Sequence, residues 1–199
     1  MKIKTLFLVS SLLLSISSIH AWELEKNDDG IKVFTNEIEG SDFKAFRGEM
    51  RIAAQLSDTL MVIKNVESMD DWLHECIKSQ IVEQVSENEI IVYQETSAPW
   101  PVTNRNFVLK MKVDQTNPNK AVVRFSALVE PDVPDQDCVR VTELNGSWTL
   151  AQETPTLLHI VYETSADPAG DVPAWLANAF VVDQPFNTLK NLRSIVHDK

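Results

Sequence analysis

Residues 171–196 read DVPAWLANAFVVDQPFNTLKNLRSIV, and this stretch decides how the chain folds. Its apolar residues recur at the spacing of an amphipathic helix, with Asp171 placed to cap the first turn and Pro173 inside that turn. The shared apolar face holds Trp175, Ala179, Val182, Phe186, Leu189 and Val196. Pro185 lies within the helix and predicts a bend, because a proline removes one backbone hydrogen bond. Such a helix must bury its apolar face on another element.

The chain before this helix offers a β-sheet as that element. Residues 31–34 and 46–52 have the alternation of strands, and a short helix is expected from Ser57 to about Met69. Six more strands are predicted at residues 77–85, 90–95, 107–113, 121–129, 139–150 and 157–164. Their links are too short for parallel crossovers, so antiparallel hairpins are expected. The sequence therefore predicts one α+β domain in which the long helix packs on an antiparallel sheet.

Residues 1–21 have the pattern of a secretory signal peptide. Lys2 and Lys4 precede an apolar core at residues 6–16, and the small residue Ala21 fits a cleavage site before Trp22. We therefore predict an exported protein, periplasmic or secreted, whose mature part is one domain at residues 22–199.

The mature chain is strongly acidic. The formal net charge is −11, and removal of the leader takes away two lysines and no acid, which leaves −13. This charge disfavours nucleic acid and anionic membranes as standing partners. The sequence lacks the spacings of a metal site, a phosphate loop or a catalytic triad, so no metal, cofactor or catalytic residue is predicted. A monomer is expected.

Two cysteines, Cys76 and Cys138, leave two alternatives open. An exported protein is in an environment where a Cys76–Cys138 disulfide can persist. Two buried thiols are the other interpretation, since cysteine is a common core residue.

Residues 97–107, SAPWPVTNRNF, place an arginine at the start of a predicted strand. If the strand includes Arg105, its side chain shares the face of Phe107 and Leu109 and points inward. A buried guanidinium needs a partner, and Glu95 in the preceding strand is the first candidate. Alternatively, Arg105 lies in the turn and reaches solvent, or only ties the loop to Glu95.

The segment PWPVTNRNF closely resembles the Pro-Trp-Pro…Arg-Asp-Phe segment of START domains, a family of lipid-transfer domains. The end of the chain, DPAGDVPAWLANAFVVDQPFNTLKNLR, is similar to the last helix of that family. GIKVFTNEIEGSDFKAFRGEM, Asp71-Trp72 and Gly146-Ser147-Trp148 add further matches in the family's order. Asn106 departs from the pattern, because the family usually has an aspartate after the arginine.

The resemblance implies a helix-grip fold, in which a curved antiparallel sheet wraps around the C-terminal helix and encloses a tunnel for one apolar molecule. It also implies that Arg105 corresponds to the family's cavity arginine. The predicted ligand-binding residues are Tyr93, Glu95, Arg105, Phe107, Leu109, Met111, Phe125, Trp148, Leu150, Trp175, Ala179, Val182 and Phe186.

Three classes of function fit these observations. A carrier that takes one lipid or other hydrophobic molecule out of water is the leading hypothesis, with transient membrane contact during loading. An enzyme acting on an apolar substrate, such as a cyclase or hydrolase, is the second. The third is a protein-binding domain with a filled interior. For a carrier, the loop at residues 131–137 is the predicted moving lid.

Overall fold

The computed structural model describes residues 21–130 and 137–197. The strands of this part are β1 (Glu23–Asp28), β2 (Ile31–Glu37), β3 (Lys44–Ile52), β4 (Cys76–Ser86), β5 (Glu89–Thr96), β6 (Arg105–Asn117), β7 (Lys120–Ala127), β8 (Val139–Arg140), β9 (Glu143–Thr154) and β10 (Leu157–Asp167). The helices are α1 (Leu56–Lys64), a 3-10 helix at Val66–Asp71 and α2 (Ala174–His197). The predicted leader up to residue 20 and the predicted lid at residues 131–136 lie outside the described residues.

The strands form one sheet in the order β1-β2-β3-β10-β9-β7-β6-β5-β4. Every neighbouring pair along this path is antiparallel. The predicted series of antiparallel hairpins between β4 and β10 is therefore confirmed. Strand β10 then pairs with β3, which joins this series to the N-terminal strands.

Two strands differ from the prediction. Strand β1 was not expected, because ELEKND lacks the apolar alternation of a half-buried strand. The single strand predicted at residues 139–150 is divided, and its first part, β8, pairs in parallel with Arg105 and Asn106 of β6. Strand β7 pairs with β6 only from Leu109 onward. The first residues of β6 therefore have an edge that β8 can occupy.

Helix α2 lies across the inner face of the sheet and contacts β2 and β3. Gly48 of β3 allows this close approach, because a Cβ atom there would stand 2.8 Å from Leu189 Cδ1 and 3.1 Å from Pro185 Cβ. Leu189 and Leu192 are fully buried at this contact. The predicted α+β helix-grip fold, a curved antiparallel sheet with a C-terminal helix, is confirmed.

The face of α2 that enters the interior differs from the predicted one. Trp175 is 73% exposed, and Val182 is only half-buried. The inner face of the first half instead carries Leu176, Ala177, Phe180 and Val181. Apolar residues occupy two neighbouring stripes in this half, so their spacing does not select one face. Within the part of the chain that the structure describes, no helix combines the length and apolarity that crossing a bilayer requires.

Candidate ligand-binding cavity

The first half of α2 and the inner face of the sheet leave a cavity of about 240 Å³ between them. Most of its wall is apolar. Of the predicted wall residues, Phe107, Leu109 and Phe125 line it. Helix α2 contributes Leu176, Ala177, Phe180, Val181 and Gln184. The predicted apolar cavity is therefore present, next to the first residues of β6.

The remaining predicted wall residues lie outside this cavity. Met111 and Trp148 line a smaller cavity of about 30 Å³ beside it. Leu150 is fully buried in the core, and Phe186 is buried beneath Lys26, whose Nζ lies 3.6 Å from the ring centroid. These two side chains, with Trp175 and Val182, do not line the cavity. The side chain of Ala179 lies outside the described set.

Arg105 is a cation in the wall of the cavity, with only 8% of its surface exposed. Its Nε donates to Pro168 O at 3.2 Å, its Nη2 to Ala169 O at 3.0 Å, and its Nη1 to Thr103 O. Burial lowers the pKa of Arg105 from its ordinary value. None of the ion pairs between described residues includes Arg105. The guanidinium is thus held by backbone carbonyls, and its charge is not neutralised there.

The predicted pairing of Glu95 with Arg105 is wrong. The register of β5 and β6 places Thr96 opposite Arg105 and Glu95 opposite Asn106. Successive side chains of a strand point to opposite faces, so Glu95 lies on the outer face. There its Oε1 accepts a hydrogen bond from Asn104 Nδ2 at 3.5 Å. A difference of one residue therefore separates the carboxylate from the cavity.

Tyr93 shares this outer face with Glu95 and does not line the cavity. It is buried, with Lys78 Nζ 5.4 Å from its ring centroid. Burial raises the pKa of the Tyr93 phenol, and the charge of Glu95 adds to this effect. Its predicted role as a ligand-binding residue is therefore wrong as well.

Residues 13–199 of the chain match the family model described as START domain. The chain belongs to the START domain family. A crystal structure of a STAR-related lipid transfer protein from Xanthomonas axonopodis is similar with a TM-score of 0.81 at 34% identity, over 88% of this chain and 98% of that one. An uncharacterized protein of Pseudomonas aeruginosa is 33% identical over 174 residues, 87% of this chain and 85% of that protein. The phosphatidylcholine transfer protein of Mus musculus is 22% identical over 143 residues, 70% of this chain and 64% of that protein.

The wall of this START cavity also holds Gln94 and Thr96, which the sequence reasoning missed. Both lie on the inner face because they alternate with Tyr93 and Glu95. Gln94 is buried, and its Nε2 lies 2.9 Å from Met69 Sδ. The alternation alone could have identified them if the position opposite Arg105 had been known.

Glu75 adds a carboxyl group to the wall of the START cavity. Burial raises the pKa of this carboxyl, and the charge of Asp183 raises it further. Burial lowers the pKa of the neighbouring His74, whose Nε2 lies 3.8 Å from Glu75 Oε1. Glu75 just precedes β4, and its carbonyl accepts a hydrogen bond from Ser97 N at 2.9 Å. No sequence spacing marked this residue.

Tyr162 forms a fixed polar position in the wall of the cavity. Its ring stacks on Trp148 with centroids 3.9 Å apart and meets Phe46 edge-on at 5.0 Å. Its hydroxyl accepts a hydrogen bond from Gln184 Nε2 at 3.4 Å. These ring contacts on both sides fix where the hydroxyl lies.

The two cysteines of the START domain are buried thiols and are not joined in a disulfide. This corresponds to the second of the two alternatives that the sequence leaves open. Cys76 Sγ donates to Lys78 O at 3.4 Å, and burial raises the pKa of Cys76 to about 11. Across residues 21–130 and 137–197, no three His, Cys, Asp or Glu side chains are grouped to hold a metal ion.

Proposed function

We propose that this START domain binds one hydrophobic molecule in the cavity beside α2 and carries it through water between membranes. The observation that carries the proposal is an apolar cavity whose wall holds the buried cation Arg105, whose described hydrogen-bond acceptors are all backbone carbonyls. Lys44, the other cation of the described cavity wall, is paired with Glu25 at 3.8 Å. The names of the Xanthomonas axonopodis and Mus musculus relatives, both transfer proteins for lipids, support a lipid-like ligand. We propose binding and transfer rather than catalysis.

The size of the cavity favours a small ligand. Its volume of about 240 Å³ is below the roughly 300–1,000 Å³ that is usual for sites of drug-sized molecules. Cavities of about 150 Å³ already bind benzene. One hydrocarbon chain or one ring system therefore suits a cavity of this volume better than a lipid with two chains. Transfer of its apolar surface from water contributes about 25 cal/mol per Å².

Arg105 is the proposed anchor for an anionic group of this ligand. A buried charge without a counter-charge is unfavourable, and carbonyl dipoles offset only part of that cost. An anion beside the guanidinium would form charge-assisted hydrogen bonds, which are about twice as strong as neutral ones. The ligand would therefore be oriented with its charged end at Arg105 and its apolar part along Phe107 and Leu109.

Two exposed tryptophans are the proposed points of membrane contact. Trp100 is 92% exposed, and Trp175 is exposed at the first turn of α2. Their chain neighbours Ala98 and Leu176 line the cavity, so both indoles stand beside it. Indole rings favour the interface between water and lipid. The acidic net charge favours zwitterionic over anionic bilayers as the donor and acceptor of the ligand.

We place this activity outside the cytoplasm. The support is the leader pattern at residues 1–21, with its two lysines, apolar core and small residue Ala21. A monomer is sufficient for the proposed transfer, because the cavity is built from a single chain.

Calorimetric titration of the mature protein with decanoate tests the proposal, together with native mass spectrometry of the protein as purified. Arg105→Met should reduce decanoate affinity at least about tenfold, since a charge-assisted contact contributes about 1.5–3 kcal/mol. Arg47→Met is the matched control, because Arg47 lies on the outer face and pairs with Glu163. Absence of binding by the unmodified protein, or equal binding by the Arg105 variant, would contradict the proposal.

A further inference from the structure

Three hydrogen-bonding side chains lie together in the cavity wall at a distance from Arg105. They are Tyr162, Thr164 and Gln184, and all of them line the cavity. Gln184 Nε2 donates to the Tyr162 hydroxyl at 3.4 Å, whereas Thr164 Oγ1 is buried and has no hydrogen-bond partner among the described residues. We call these three residues the inner polar group.

The inner polar group has an acceptor that the described protein atoms do not use. Gln184 Oε1 is completely buried and has no hydrogen-bond partner in the described part of the chain. Buried polar atoms are almost always paired, and an unpaired one is unfavourable by about 1–3 kcal/mol. The neighbouring wall is aromatic, with Phe46, Phe125 and Phe180. A donor on a bound molecule would therefore gain a partner here that the protein itself does not supply.

The position of the inner polar group follows from α2. Leu176 and Gln184 both line the cavity and are eight residues apart, which corresponds to about 12 Å along a helix. Arg105 binds the carbonyls of Pro168 and Ala169, which come just before this helix. Gln184 therefore stands at the far end of the cavity from the segment that Arg105 holds.

We propose that the inner polar group is a second binding subsite, which accepts a hydroxyl group at the distal end of a single-chain amphiphile. This inference rests on the proposed function, because the anionic end of the same molecule lies at Arg105. The ligand class is then a hydroxylated fatty acid of medium length. An extended chain of about ten carbons is comparable in length to the roughly 12 Å of helix between Leu176 and Gln184.

The geometry favours a ligand whose hydroxyl lies at one defined position over a ligand that is merely polar. Tyr162 is held between Trp148 and Phe46, so the hydroxyl that anchors the Gln184 amide does not move freely. Gln184 lies one residue before Pro185, which is buried against Gly48. Preorganised polar groups in an apolar wall discriminate between ligands, because a ligand without a matching polar group leaves those groups buried and unpaired.

The test compares two probes by calorimetry, 10-hydroxydecanoate and decanoate, which differ only in the distal hydroxyl. The unmodified mature protein should bind the hydroxy acid about tenfold more tightly, as expected for one well-formed hydrogen bond. Gln184→Leu should remove this preference while retaining decanoate binding. Tyr162→Phe, which keeps the ring and its stacking, should reduce the preference as well. Asn187→Leu is the control, because it also replaces an amide side chain of α2 by leucine but lies outside the cavity lining.

The outcomes separate this inference from the proposed function. Equal affinity of the unmodified protein for the two acids overturns the subsite and leaves the carrier proposal standing. A preference that survives both Gln184→Leu and Tyr162→Phe also overturns it. If neither acid binds, the carrier proposal fails, and the subsite fails with it. Loss of the preference in Asn187→Leu would assign the effect to helix stability instead of to the inner polar group.

Discussion

The two halves of α2 face the same sheet but do different things. In the second half, Pro185, Leu189 and Leu192 are buried, and Pro185 and Leu189 lie directly against Gly48 of β3. In the first half, Leu176 and Val181 are half-buried and face a cavity. One helix therefore supplies both the core and the candidate site. Because the packed contact and the candidate site lie on separate turns, we expect that stability and ligand binding can be changed separately.

The contrast has a physical cause in the opposing surfaces. Gly48 has no Cβ atom, so Leu189 of the second half can pack directly against the backbone of β3. The first half follows a segment whose carbonyls at residues 168 and 169 are fixed to Arg105 of β6. That link holds the segment before α2 against the beginning of β6, and the cavity lies between the first half of α2 and the inner face of the sheet.

The largest expected effect is the difference in the free energy of unfolding between two leucine-to-alanine substitutions, one in each half of α2. Leu189→Ala should reduce the free energy of unfolding by about 2–5 kcal/mol, because it opens a cavity in a packed core. Leu176→Ala should cost less than about 1 kcal/mol, since its side chain is half-buried and already borders a cavity. Urea unfolding followed by circular dichroism measures both. Equal losses would mean that the two halves are packed alike.

Added side-chain volume should reduce stability at the second half of α2 and ligand binding at the first half. Gly48→Ala forces Leu189 and Pro185 away from β3 and should destabilise the fold by about 1–3 kcal/mol. Ala177→Leu projects into the cavity instead and should change stability by less than about 1 kcal/mol, while decanoate affinity falls about tenfold. Calorimetric titration and thermal unfolding of both variants test this. Retained binding by Ala177→Leu would place the ligand elsewhere.

Substitution of the two exposed tryptophans beside the cavity should have a smaller effect on stability but a measurable effect on ligand transfer. Replacing both exposed tryptophans, Trp100→Ser with Trp175→Ser, should leave the free energy of unfolding within about 0.5 kcal/mol. Transfer of a fluorescent fatty acid between phosphatidylcholine vesicles should slow several-fold, because interfacial contact is lost. Met61→Ser, an exposed apolar residue of α1, is the control. Unchanged transfer rates in the double variant would exclude these indoles as the contact.

The smallest expected effect concerns pH and Glu75. Its pKa is raised in the folded protein, so its contribution to stability is fully present below the unfolded pKa and is lost as pH rises through the folded one. Glu75→Gln should therefore be more stable than the unmodified protein at about pH 7 and equally stable near pH 4. Unfolding in urea at the two pH values provides the measurement. Glu87→Gln, in the exposed turn before β5, is the control, and an identical pH response in both variants would contradict the prediction.

Most of the fold could be predicted because its elements have clear periods. The alternation in β6 placed Arg105, Phe107 and Leu109 on one face, and the structure has all three in the cavity wall. The short links between strands required hairpins, and the antiparallel order followed. Strand β1 escaped detection because charged residues fill an exposed edge strand.

The site was harder to predict because it depends on single-residue offsets. Register decides whether Glu95 or Thr96 faces Arg105, and no local pattern fixes the pairing of β5 with β6. In α2, Trp175 and Leu176 are both apolar, and only packing against the sheet selects Leu176. The closeness of Tyr162 to Gln184 is a tertiary contact between β10 and α2, which no motif records.

The hydrogen bonds of Arg105 to the carbonyls of residues 168 and 169 connect the proposed ligand anchor to the start of α2. If the proposed ligand draws this guanidinium into the interior, the hydrogen bonds from Arg105 to the segment just before α2 would weaken. Occupancy is in this way transmitted to the beginning of the helix by one side chain. Binding of the proposed ligand and the position of the first turn of α2 would then be coupled through this one residue.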